Sequence, residues 1–136
     1  MKKAVSLFLA VLLLTSNLSV FARASDYIDS VIITPYAQGG GVVKFTLNIG
    51  GTHNNMTKIG FQSVTLYERA DSSSSWKSAA SYYNRYNPNA TAGGHTFTCT
   101  YDGVAGRQYY AEYSAYAQDA KGSDTKSGSS NVVTAT

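Results

Sequence analysis

The sequence predicts an all-β fold, a single two-sheet antiparallel sandwich of about seven strands. Three observations carry this. Eleven tyrosines, with many Thr, Ser and Val, give the composition of pleated, half-buried strands. Several segments alternate apolar and polar residues with period two, whereas no stretch holds the 3.6-residue period of an amphipathic helix. Clusters of Gly, Asn, Asp and Ser separate these segments at the spacing that the turns of a sandwich require.

Residues 1–24 read as a removable leader. Met1-Lys2-Lys3 precedes an unbroken apolar run from Leu7 to Leu14, and a more polar stretch ends in Ala22-Arg23-Ala24. A basic start, a short apolar centre and two small residues before the cleavage point are the pattern of a secretory signal peptide, cut before Ser25. The apolar run is far shorter than the roughly 20 residues that span a bilayer, so no membrane insertion is expected. Residues 25–136 then form one β-sandwich domain, secreted to the extracellular space. Of the 11 basic residues, Lys2, Lys3 and Arg23 belong to the leader, and those that remain balance the 8 acidic ones. A neutral domain lacks the positive footprint of a nucleic-acid binder, and no nucleic-acid partner is expected. Cys99 is the single cysteine, which rules out an intrachain disulfide in a compartment that would permit one. Low cysteine use together with the compact leader favours a bacterial source.

Tyr27 to Ile33 is a short apolar run closed by Pro35, which suits a first strand at a sheet edge. Val43, Phe45, Leu47 and Ile49 alternate with polar residues between two glycine clusters and form the clearest strand with one buried face. From Lys58 to Arg69, Ile59 and Phe61 lie on one parity while Val64 and Leu66 lie on the other. A β-bulge near Gln62-Ser63 would return all four to one face. Asp71 to Ser75 reads as a turn, Trp76 to Tyr83 as the returning strand, and Asn84 to Gly94 as the longest irregular stretch. Phe97, Cys99 and Tyr101 alternate with threonines. Tyr109, Ala111, Tyr113, Ala115 and Ala117 then share one face of a long strand, with Tyr110, Glu112, Ser114, Tyr116 and Gln118 on the other. Asp119 to Ser130 reads as a polar turn and Asn131 to Thr136 as the closing strand.

The run from Gly106 to Ala115, with Tyr109 at the corner position and alternate apolar residues after it, resembles the turn into the sixth strand of immunoglobulin-like sandwiches, and among them the fibronectin type III variant. The tail Ser129-Ser130-Asn131-Val132-Val133-Thr134 resembles their last strand. Gly103 and Ala105 stand where that family has a leucine and a proline. Val64 to Arg69, a serine-rich turn and Trp76-Lys77-Ser78 also resemble small uncharacterised secreted proteins of Gram-positive bacteria. The resemblance spans roughly residues 58–135 and implies a fold, from which no activity follows.

Chemistry is sparse. No nucleophile elbow surrounds any serine, and neither His53 nor His95 sits in a catalytic motif. Cys99 and His95 share a parity, but their Cα atoms would lie roughly 13 Å apart along a strand, too far to activate a thiol. No spacing suited to zinc occurs, and no metal or cofactor is expected. Asp119, Ser123 and Asp124 crowd one turn, where calcium binding stays open beside plain turn formation. Tyrosine offers apolar area with a polar tip, which suits protein and sugar recognition. Trp76, Tyr82, Asn84 and Tyr86 are therefore the candidate ligand-binding residues, with Tyr82 and Tyr86 expected on one face and Asn84 between them.

These residues point to a non-enzymatic secreted module that binds a protein or glycan ligand at a surface. A secreted inhibitor or antimicrobial effector, and an enzyme with an unrecognised site, are the alternatives from other classes. The leader makes the first testable statement: intact-mass measurement on culture supernatant should give a chain beginning at Ser25, and export with the leader attached would overturn the assignment.

Overall fold

The computed structural model describes residues 25–136, so the expected leader, residues 1–24, lies outside them. Eight strands form among the described residues: β1 Ile28–Gly39, β2 Val42–Gly51, β3 Lys58–Arg69, β4 Lys77–Tyr86, β5 Gly94–Asp102, β6 Gln108–Gln118, β7 Ser123–Ser129 and β8 Val133–Thr134. They build two antiparallel sheets. One has the order β1-β2-β5; the other has the order β4-β3-β6-β7, with β8 pairing the start of β6.

The core lies between the two inner faces and follows from the period-two alternation. Val43, Phe45, Leu47 and Ile49 of β2 and Ile59, Phe61, Val64 and Leu66 of β3 are buried, as are Tyr109, Ala111, Ala115 and Ala117 of β6. The small β6 residues make room for the large side chains facing them, as close packing demands. Burying each large aliphatic or phenylalanine side chain contributes about 1.5–3 kcal/mol.

The expected bulge in β3 is present. The β3–β6 register shifts between Phe61 and Ser63, which pair with Ala115 and Ser114, so that Gln62 is the extra residue. The change of parity between Phe61 and Val64 is thereby absorbed, and both stay on the core face.

The returning strand runs to Tyr86, past the expected Tyr83, the closing strand is confined to Val133–Thr134, and two segments differ more from the sequence reading. The first strand does not close at Pro35 but continues to Gly39, with Pro35 opposite Phe45. As a sheet edge, β1 has no second neighbour to need the missing N–H. The segment expected as a polar turn contains β7, paired to β6 from Gln118↔Ser123 to Glu112↔Ser129. Hydroxyl residues on one parity and charges with a glycine on the other leave no apolar face to detect there. The β1–β2 hairpin is turned by Gly39, Gly40 and Gly41, all at positive φ (93°, 62° and 85°), where a side chain would be strained.

At the entry to β6, the Tyr109 hydroxyl accepts the Val104 N–H at 2.9 Å and donates to Glu68 Oε2 at 3.3 Å. A Cβ on Gly103 would sit 2.6 Å from that hydroxyl, so the glycine leaves room for the phenol. The buried ring thus ties the β5–β6 turn to the head of β6.

Cys99 is 5 % exposed, and burial pushes its thiol up to about 11. A thiol reagent should leave the native protein unlabelled at neutral pH and react fully in denaturant, whereas rapid native labelling would place Cys99 at the surface.

Candidate functional site

The four candidate residues do not form one site. Trp76 stands just before β4, after a turn in which the Asp71 carboxylate accepts the Ser73 N–H (2.9 Å) and the Ser73 and Ser74 hydroxyls. Those bonds, led by the Ser73 hydroxyl, hold the Asp71 carboxyl below its ordinary value. From this turn the Trp76 indole meets the Tyr110 ring edge to face at 4.6 Å.

Tyr82 and Tyr86 lie on opposite faces of their sheet, contrary to the sequence reading. Tyr82 pairs with Val64, packs against the core and meets Phe97 of the other sheet at 5.5 Å. Tyr86 pairs with Gly60 and meets Tyr116 at 6.2 Å on the outer face. Asn84 is the cause. Where β3 carries its extra residue, β4 carries one as well: pairing passes from Phe61↔Arg85 to Ser63↔Tyr83, stepping over Gln62 and Asn84 together. Asn84 takes the left-handed conformation, φ 54°, which asparagine tolerates better than most residues. The step preserves the ladder and inverts the parity of Tyr86 relative to Tyr82.

The rings that do converge lie on the outer face of the five-stranded sheet, in two groups. At one end Tyr67 and Tyr110, opposite each other on β3 and β6, stack at 5.1 Å with planes 15° apart. Trp76 joins them, and the Arg69 guanidinium lies 4.3 Å from its ring centroid while Arg69 Nε donates to Gln108 Oε1 at 2.8 Å. At the other end Tyr86 and Tyr116 meet, with Lys58 Nζ 4.2 Å and 5.7 Å from their ring centroids. Tyr116 and Tyr110 are six positions apart on β6, so the groups are separated by roughly 20 Å along the strands.

Between them is an open depression of about 500 Å³ lined by Ser63, Thr65, Glu112, Ser114, Ser127 and Ser129. Tyr110 donates its hydroxyl to Glu112 Oε1 at 2.9 Å, and Ser114 donates to Gln62 Oε1 at 3.0 Å. Burial first, then the bond to Glu112, pushes the Tyr110 phenol up to about 12. The Glu112 charge is the leading cause of the upward shift at Tyr67. Tyr83, 62 % exposed, pairs with Ser63 and adds a further ring beside the depression.

The sequence reading did not single out Tyr67, Tyr110, Tyr116 and Glu112, which the structure groups on this face. Their signal was available, since Tyr110, Glu112 and Tyr116 occupy the polar parity of a strand whose other parity is core.

The remaining polar candidates serve the fold. Asp119 Oδ1 accepts the N–H groups of Lys121 (2.6 Å) and Gly122 (3.1 Å), and Oδ2 lies 3.0 Å from His53 Nε2. The Lys121 N–H is the main reason its carboxyl sits below the ordinary value. Asp124 Oδ2 accepts the Ser25 hydroxyl and the Asp26 N–H, each at 2.7 Å, and ties the start of the domain to β7. Burial lowers the pKa of His95 at the start of β5. Among the described residues, no group of three or more His, Cys, Asp or Glu side chains is placed to hold a metal ion.

The two tyrosines should separate in a stability assay. Tyr82→Ala should cost about 2–3 kcal/mol in urea unfolding, because its ring fills space between the sheets. Tyr86→Ala should cost about 1 kcal/mol or less, the scale of a cross-strand pair on an open face. Equal losses would contradict the opposite placement of the two rings.

No protein-family model matches this chain, and no curated protein matches it. Among solved structures, a hypothetical protein from Pyrococcus horikoshii OT3 is similar over 80 % of this chain and 95 % of its own, with 15 % sequence identity and a TM-score of 0.37.

Proposed function

We propose that this chain is a secreted, non-enzymatic β-sandwich module that binds a protein or glycan ligand at a surface, with an immunoglobulin-like fold of the fibronectin type III variety. The strand order supports the finer fold reading. The fourth strand joins the sheet of the third, sixth and seventh strands, leaving three strands in the other sheet, whereas the constant-type immunoglobulin fold puts its fourth strand with the first sheet. The bond from the Val104 N–H to the Tyr109 hydroxyl is the kind that a tyrosine corner makes. The leader pattern of residues 1–24 supports secretion from a bacterium, and the segment from Val64 to Ser78 supports a Gram-positive one.

One observation carries the binding reading: the outer face of the five-stranded sheet holds two aromatic groups with an open polar depression between them. Aromatic pairs on the face turned away from the core add only modestly to folding, so grouped rings there support the reading of that face as an interaction surface. Two of the side chains suited to catalysis are otherwise engaged. His53 faces Asp119, and the Cys99 thiol is buried and held protonated.

The test is retention. The full chain is expressed in a secreting Gram-positive host, and the exported product is incubated with intact bacterial cells, insoluble cell walls and immobilised secreted proteins. Saturable retention on one of these, with the bound material left chemically intact, is the expected result. No retention on any of them would remove the binding reading, and turnover of the bound material would replace it with an enzymatic one.

A further inference from the structure

We propose that the outer face of the five-stranded sheet binds a neutral, linear glycan that lies along β3 and β6, its sugar rings resting on the Tyr67–Tyr110–Trp76 group at one end and the Tyr86–Tyr116 pair at the other. This rests on the reading of the chain as a surface-binding module and names its ligand class and its site.

Three features of the face select this ligand. The first is direction. Tyr67 and Tyr110 are register partners, and Tyr86 and Tyr116 both pair with Gly60, so each group lies across the strands and the two are separated along them. A ligand touching both must run parallel to β6 for roughly 20 Å, which suits an extended oligomer.

The second is the chemistry of the floor. Ser63, Thr65, Ser114, Ser127 and Ser129 line it with hydroxyls, and Glu112 supplies a carboxylate. Serine and glutamate are depleted at the centres of protein interfaces, and serine and threonine are under-represented among the residues that carry their affinity. A dense row of small donors and acceptors between aromatic surfaces instead matches a sugar chain. Its ring C–H faces are apolar enough to lie on a phenol or indole, and its hydroxyls need a partner every few ångströms. Glu112 has acceptor capacity beyond the bond from Tyr110, since an ionised carboxylate offers about four lone-pair sites.

The third is charge. Glu112 stands in the depression, while Lys58 and Arg69 lie against rings at its two ends. An anionic sugar over the floor would face the exposed Glu112 carboxylate directly and be repelled by it. Neutral sugars escape this repulsion and can donate hydroxyls to the same carboxylate.

The experiment is affinity electrophoresis of the exported full-chain product in gels containing a neutral β-glucan, xylan or mannan, with polygalacturonate as the anionic comparison. At least one neutral polysaccharide should retard the protein more than polygalacturonate does. Tyr86→Ala with Tyr116→Ala, and separately Trp76→Ala with Tyr110→Ala, should each weaken that retardation by about tenfold or more, the effect expected for aromatic anchors. Tyr36→Ala, on the other sheet, should leave it unchanged. Melting temperatures identify any variant that fails to fold. Where the Trp76 and Tyr110 pair does, Trp76→Ala alone carries the same test, because the indole stands before β4 and outside the strands. Retardation that survives both double variants would put the glycan elsewhere and overturn the site. A stronger response to polygalacturonate would overturn the choice of a neutral ligand. A protein held saturably on a purified protein surface, with no response to any polysaccharide, would overturn the glycan assignment while sparing the binding module. No retention in either format would remove both.

Discussion

β3 must place Ile59, Phe61, Val64 and Leu66 in the core although three positions, an odd number, separate Phe61 from Val64. Without an irregularity, two of these four side chains would face water, at about 1.5–3 kcal/mol each. The extra residue at Gln62 resolves this toward β6. Toward β4 the same irregularity would leave the ladder out of step, so β4 carries a matching residue, Asn84, in the left-handed region. One packing requirement on an inner strand thus fixes the conformation of a residue on the edge strand and decides which tyrosines of β4 face outward.

β6 shows the same division between its two sides. Inward, three alanines and the anchored ring of Tyr109 fit the volume left by the facing sheet. Outward, Tyr110 and Tyr116 have no core to fill, and each finds one aromatic partner on a neighbouring strand, Tyr67 or Tyr86. Such pairs add about 0.5–1.5 kcal/mol beyond the area they bury. That gain is modest beside the core's, so grouping six rings on this face with Tyr83 and Trp76 exceeds what folding requires.

Alternation made the strands around Phe45, Phe97 and Ala115 legible in the sequence, because each has one buried face and regular spacing. It also separated Tyr110 and Tyr116 from the core residues of β6. Sheet order was hidden. Nothing local to Tyr67 says that Tyr110 lies opposite it, since that pairing depends on β6 lying beside β3 across nearly forty intervening residues. β7 was hidden for another reason: it is an edge strand with polar side chains on both of its faces, so Ser123–Ser129 carries no pattern beyond that of a loop. Asn84 combined both difficulties. Its conformation answers a residue on another strand, and assuming unbroken alternation put Tyr82 and Tyr86 together when the structure sets them on opposite faces.

The outer face is built on strands rather than on loops, and this bears on how it can recognise anything. Glu112 shifts the phenols of Tyr67 and Tyr110 upward, and the Tyr110 hydroxyl donates to its carboxylate at 2.9 Å. Glu112 is therefore an oriented acceptor before any ligand arrives. Lys58 and Arg69 are likewise laid against rings, so the long cationic side chains at the two ends have surrendered part of their freedom on folding. A surface whose groups are ordered in advance loses less entropy on binding, and weak individual contacts can then sum to useful affinity. The sheet's twist still limits how many rings a rigid ligand can meet at once. A flexible oligomer that follows the strands can conform to that twist, which a flat rigid partner cannot, and the placement of the rings along β6 rather than across the sheet is consistent with the same constraint.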